Sequence, residues 1–149
     1  MSERTAMTRD IRPLAADEAE LLDRVADDVF DDPIVPARAR EFLADPHHHL
    51  VVAIEGDGVV GMVSAVDYLH PDKAEPELWI NEVGVASSHR GQGLGQALLQ
   101  ATLALGRELG CRVAWVATER SNTPAMRLYA SAGGAEEPQD TVLFTFRLD

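Results

Sequence analysis

The segment Arg90-Gly91-Gln92-Gly93-Leu94-Gly95 places three glycines within five residues, directly before an amphipathic run. Glycine lets a backbone approach a ligand closely and adopt positive φ. A helix that begins there presents unpaired N–H groups and a partial positive charge at its first turn. Together these make an anion site fit for a pyrophosphate, to which Arg90 adds a forked set of donors. A Walker loop requires Gly-Lys-Ser/Thr, which the chain does not contain, and the dinucleotide spacing G-x-G-x-x-G fails at Gln96.

Other residues could carry chemistry. Glu82 interrupts an otherwise apolar strand, where a carboxylate is paired, at the sheet rim or catalytic. Glu119 follows the next strand. His47-His48-His49 invites a metal reading, but neighbours on a strand point to opposite faces and three of them do not converge on one ion, so a solvated strand entry is expected. His89 is expected near phosphate, Cys111 in the core, and Trp79 and Trp115 in the core or a pocket wall.

These residues need a scaffold. Ile11–Leu14 reads as an edge strand. Asp17–Phe30 has apolar residues at helical spacing, and Asp31-Asp32-Pro33 breaks it. Pro36–Ala44 reads as a second helix. Leu50–Ile54 and Val59–Tyr68 are strands joined by the turn Gly56-Asp57-Gly58. Glu77–Val85 is a strand, Gly93–Leu109 a helix closed by Gly110, and Arg112–Thr118 a strand. Thr123 caps a helix with Pro124 at its first position, ending near Ala132, and Val142–Leu148 closes the chain as a strand. Hairpins first and a strand-helix-strand crossover later predict an α/β fold of the α+β kind, a mixed sheet flanked by helices.

The 149 residues suit a single domain spanning 1–149, with 1–9 a polar arm or the trace of a start at Met7. No apolar run suits a membrane span, and the first residues do not read as a signal peptide. One cysteine excludes an intrachain disulfide and fits a reducing cytoplasm. The net charge of −12 argues against nucleic-acid binding; an acidic surface keeps a protein soluble, and it would also suit a cationic partner. The phosphate loop reconciles that charge with an anionic ligand because its positive field is local.

Arg90-x-x-Gly93-x-Gly95 resembles the R/Q-x-x-G-x-G/A motif of the GCN5-related N-acetyltransferases (GNAT), and Asn81–Arg90 is similar to the strand and turn before that motif. Asn122-x-x-Ala125-x-x-Leu128-Tyr129-x-x-x-Gly133 resembles the family's second signature. The resemblance implies the GNAT acyl-CoA N-acyltransferase fold with a splayed central sheet, and acetyl-CoA as cosubstrate without a metal. It implies that main-chain groups of Val83 and Val85, flanking Gly84, bond the pantetheine amides. Backbone N–H groups of Arg90, Gly91, Gln92, Gly93, Leu94 and Gly95 would hold the pyrophosphate, and Asn122 would meet the cofactor or cap its helix. Tyr129 stands where the family often has its general acid. Glu82 is the first candidate base and Glu119 the second, or the base is water. Some relatives carry a glutamate where this chain has Ala117.

Acceptor specificity belongs to loops. The acidic candidates are Asp28, Asp31 and Asp32, and the segment Asp67–Glu77. Asp31-Asp32-Pro33, Phe42–Pro46 and Phe144-Thr145-Phe146 look similar to aminoglycoside 3-N-acetyltransferases. The expected acceptor is therefore an aminoglycoside or related cationic small amine, with a protein N-terminus or lysine as the alternative. A sensor that binds acetyl-CoA without turnover is the reading from another class. A homodimer paired through the C-terminal strands is also expected.

Overall fold

The computed structural model describes residues 9–137 and 140–149. Along the chain run β1 (Arg9–Pro13), a 3-10 helix (Ala16–Arg24), α1 (Pro36–Ala44), β2 (His48–Glu55), β3 (Gly58–Tyr68) and β4 (Glu77–Val85). A 3-10 turn (Ser87–His89), α2 (Leu94–Glu108), β5 (Ala114–Val116) and α3 (Thr123–Ser131) follow. The polar arm expected at the start lies outside the described residues, except that Arg9 opens β1 and pairs with Glu55.

The five strands form one open mixed sheet in the order β1-β2-β3-β4-β5. All neighbours are antiparallel except β4 and β5, which run parallel. Alternating runs of Val, Leu and Ile supply the core, in which Val51, Val52, Val59, Val63, Leu78 and Leu98 are inaccessible to solvent. α2 packs on one face: the Leu98 side chain lies over Gly61 and Leu78 lies against Gly106. The 3-10 helix, α1 and the segment between them cover the other face.

β5 pairs with β4 only from Leu78↔Ala114 to Ile80↔Val116. Beyond Ile80 the outer edge of β4 has no strand beside it among the described residues, so the sheet splays where Glu82–Val85 lie. No helix among the described residues is long and apolar enough to cross a membrane.

Three expectations on elements are corrected. The helix expected over Asp17–Phe30 is a 3-10 helix that stops at Arg24. Val25 instead forms a parallel bridge with Val59, and the Ala26 N–H donates to the Val59 carbonyl at 2.9 Å. This pairing pulls the chain out of helical geometry before the apolar period ends. The N-cap of α3 is Asn122, whose Oδ1 accepts from the Ala125 N–H at 3.2 Å, so Thr123 opens the helix and Pro124 is its second residue. The strand expected over Val142–Leu148 is absent; the segment is unpaired, and Val142, Leu143, Phe144, Phe146 and Leu148 are 70–94% exposed.

Candidate active site

A cleft of about 1010 Å³ opens where β4 and β5 part. Its walls come from the free end of β4, the turn into α2, the start and middle of α3, and the segment after the 3-10 helix.

The donor side is built from backbone. Gly91 and Gly93 adopt φ of 76° and 74°, a left-handed conformation that side chains resist, and a Cβ at either would meet no protein atom within 4 Å. The space over both glycines is therefore open to a ligand, at the N-terminus of α2. Gly95 differs: it lies against Leu128 of α3 and Val85 of β4, where a Cβ would make ordinary contact. The Arg90 Nε donates to the Val85 carbonyl at 3.3 Å. These features fit a diphosphate, with the 3-10 turn and α2 fixing the loop on both sides.

The register places Glu82. Ser64 pairs with Glu82, whereas Ala65 pairs with Ile80, leaving Asn81 as the extra residue of a β-bulge. Strict alternation would put Glu82 on the same face as Leu78 and Ile80, in the core beneath α2. The bulge inverts that parity. Val83 and Val85 take the α2 face, while Glu82 and Gly84 turn to the opposite face, under the Val29–Asp32 segment. Burial, and then the charges of Asp31 and Asp32, push the Glu82 carboxyl above the usual range. Its cross-strand neighbour Ser64 is buried, and its hydroxyl has no hydrogen-bond partner among the described residues.

Tyr129 lies on α3 across the cleft, and burial pushes its phenol up, so the hydroxyl stays protonated well past neutrality. The cleft brings together Glu82, Val83, Gly84, Val85, Arg90, Gly91, Gly93, Leu94, Gly95, Asn122 and Tyr129. It does not include Gln92, whose side chain binds Arg9 and the Ser88 carbonyl. Nor does it include Glu119, which is exposed in the turn before α3. Arg127 and Met62 also line the cleft; nothing in their spacing marks them, since each sits within an ordinary amphipathic element.

Other expectations separate in space. Asp28 and Asp31 line the cleft, and Asp31 also borders a smaller cavity of about 430 Å³ with Asp23, Asp27 and Asp32. The Asp67–Glu77 segment joins the ends of β3 and β4 remote from the glycine loop and is not part of the cleft wall. Its carboxylates have partners: Asp67 accepts from His47 at 3.0 Å and His49 at 2.6 Å, and Glu77 from Trp115 at 3.0 Å. The histidine run is the solvated strand entry expected at His47 and His48, which are exposed, but not at His49, which is largely covered. His47 and His49, two apart on one face, clamp Asp67, while His48 stacks on Phe42 with centroids 5.1 Å apart. No group of three or more metal-ligating side chains is arranged for an ion among the described residues. His89 lines the cleft and is held by Glu55 at 3.1 Å. Cys111 is buried, and burial raises its thiol pKa. Trp79 and Trp115 pair across β4 and β5, outside the cleft.

Comparison with known proteins follows the same outline. The chain is 33% identical over 131 residues to the N-alpha-acetyltransferase RimI of Mycobacterium tuberculosis, covering 86% of this chain and 75% of that protein. It is 31% identical over 102 residues to N-acetyltransferase 8F1 of Rattus norvegicus, covering 68% of this chain but only 46% of the relative, so it spans under half of that protein's length. An aminoglycoside acetyltransferase from an uncultured soil metagenomic sample, solved with sisomicin, superposes with a TM-score of 0.82 at 20% identity, over 95% of this chain and 97% of that one. This likeness is one of fold. The model of the acetyltransferase (GNAT) family matches residues 11–133, from β1 through the end of α3, and so takes in the glycine loop, the bulged strand and the tyrosine helix together. On that match, this chain belongs to the acetyltransferase (GNAT) family.

Proposed function

We propose that the chain moves acetyl from acetyl-CoA to a primary amine of a cationic small molecule by direct attack. The observation that carries this reading is the one cleft that holds the α2 anion nest, the free edge of β4, Glu82 and Tyr129.

Main-chain N–H groups from Arg90 to Gly95 bind the pyrophosphate of the cosubstrate, which supplies the activated acetyl thioester. Val83 and Val85 offer their backbone groups on the splayed edge to the pantetheine amides, and Asn122 borders the cofactor. Glu82 accepts the proton lost by the amine as the C–N bond forms, and its raised pKa suits it to that task. Tyr129 gives its proton to the thiolate as the C–S bond breaks, and solvent reprotonates the phenolate.

The Glu82 assignment has a pH signature. Because the folded carboxyl titrates above its ordinary value, kcat/KM falls as pH drops through that raised pKa, and Glu82→Gln should flatten this acidic limb. By linkage the ionised form opposes folding above that pKa, so the same substitution should raise Tm at neutral pH. A pH–rate profile and a melting curve check both, and an unchanged limb would hand the role of base to water or Glu119.

Asp31 on the cleft wall supports a polycationic acceptor such as an aminoglycoside. A protein N-terminus is the second reading, favoured by the 33% identity to RimI. Thiol release from acetyl-CoA over kanamycin-type compounds, polyamines and short peptides separates them. Release with the first group supports the proposal, preference for peptides overturns it, and binding of CoA without release for any amine makes the chain a sensor.

We also infer self-association through the C-terminal segment, because its apolar side chains lie exposed while β5 presents an open edge of three residues. A monomer at high concentration in sedimentation velocity would refute this. The single, buried Cys111 accords with a cytoplasmic setting.

A further inference from the structure

Asp28 begins the acidic segment that overhangs the cleft, yet its carboxylate is spent on the donor side. Its Oδ2 accepts from the Ser87 N–H at 2.9 Å and stands 4.0 Å from the Arg90 Nη2. The Ser87 hydroxyl foremost, and then its N–H, hold that carboxyl below the usual range, with Arg90 a minor influence. One residue later, the Val29 carbonyl sits on Gly84 so closely that a Cβ there would come within 1.9 Å of it. Val29 itself is 3% exposed. The start of the segment is tied to β3 through Ala26 and Val59. The chain is therefore fixed to the strand and turn of the cofactor site at two successive residues. Asp31 and Asp32, whose charges reach Glu82, follow those anchors.

We propose that Asp28 is a positioning residue: it docks the Val29–Asp32 segment on the turn that leads into the pyrophosphate loop, so that the donor site sets the place of the acceptor-side carboxylates. The proposal rests on reading the cleft as an acetyl-CoA and amine site. It distinguishes Asp28 from Asp31, which is free to meet the acceptor.

Two substitutions remove opposite halves of the contact. Asp28→Ala removes the acceptor. Ser87→Pro removes the donors, N–H and hydroxyl together, at the first residue of a 3-10 turn whose preceding residue, Ala86, has φ −54° and ψ 137°, a conformation proline tolerates. Each should raise the KM for the amine about tenfold, as expected for loss of this charge-assisted contact, with the KM for acetyl-CoA within about twofold. The double variant should be no worse than either alone. Asp28→Asn keeps an oxygen for the Ser87 N–H and should recover most of the wild-type KM. If Asn is as damaging as Ala while Ser87→Pro behaves as wild type, Asp28 contacts the amine directly and the proposal is overturned. Hydrogen exchange supplies a readout that needs no turnover. In Asp28→Ala, amides of residues 27–32 should exchange faster, and unchanged protection overturns the proposal. Should no amine be acetylated by the wild-type protein, the functional reading fails while this exchange test of the docking contact still stands.

Discussion

Gly93→Asp should reduce acetyl-CoA affinity by at least about 100-fold, because it combines a backbone penalty with a misplaced charge. Gly93 is the left-handed residue that precedes α2, at φ 74°. An L-residue there costs roughly 1–2 kcal/mol, which alone accounts for about a tenfold loss if the loop relaxes. The larger part is electrostatic. The carboxylate would project into the open space over the nest, where the diphosphate would lie, and would itself take up the positive field of the helix N-terminus. Since a Cβ there meets no protein atom within 4 Å, the fold should survive with a small drop in Tm. Gly93→Asn isolates the charge, because asparagine tolerates the left-handed region about as well as aspartate does and is neutral. It should lose much less affinity than the aspartate. Calorimetric titration with acetyl-CoA gives the answer, and equal affinity in Gly93→Asp and wild type would remove the loop from the site.

The second large effect falls on turnover. Tyr129→Phe should lower kcat by about 100-fold, the lower end of the range for loss of a general acid, while the Kd for acetyl-CoA stays within about twofold. The phenol is perturbed by burial alone, with no charged partner shifting it, so removal of the hydroxyl breaks no ion pair. Its folded pKa lies above the ordinary phenol value, so wild-type activity should persist to high pH and fall only as Tyr129 ionises. The variant should lack that alkaline loss. A kcat equal to wild type would exclude Tyr129 as the acid. Equal Tm values for the two proteins would show that any loss is catalytic.

Much of the donor site could be read from residue order because it depends on local backbone. Three glycines, an arginine and an amphipathic run specify a loop and a helix start, and both form where expected. The borders of α1 and β4 are likewise those read from Pro36, Ala44, Glu77 and Val85. The failures share a cause, which is pairing between residues distant in sequence. The contact of Val25 and Ala26 with Val59 ended a helix that local periodicity would have continued. The bulge at Asn81 reverses which face Glu82 occupies, and no propensity reports a change of parity set by β3. The Asp67–Glu77 segment is acidic in sequence, yet Asp67 is held by His47 and His49 and Glu77 by Trp115. At the C-terminus, alternation over Val142–Leu148 records strand-forming composition without the neighbour that a strand requires.

The cleft has one wall made of main chain and another made of side chains. The peptide groups from Val83 to Gly95 are common to all residue types, so most substitutions there should keep the backbone donors and acceptors in place, provided Gly84, Gly91 and Gly93 are kept. On the facing wall Asp31 lies beyond the buried Val29, so its exchange should leave the glycine loop undisturbed. A library randomised at Asp31 and Asp32 should therefore yield folded, cofactor-competent proteins at high frequency with altered amine preference. The scaffold thus separates the heritable variation that retunes an acceptor from the variation that would disable the donor.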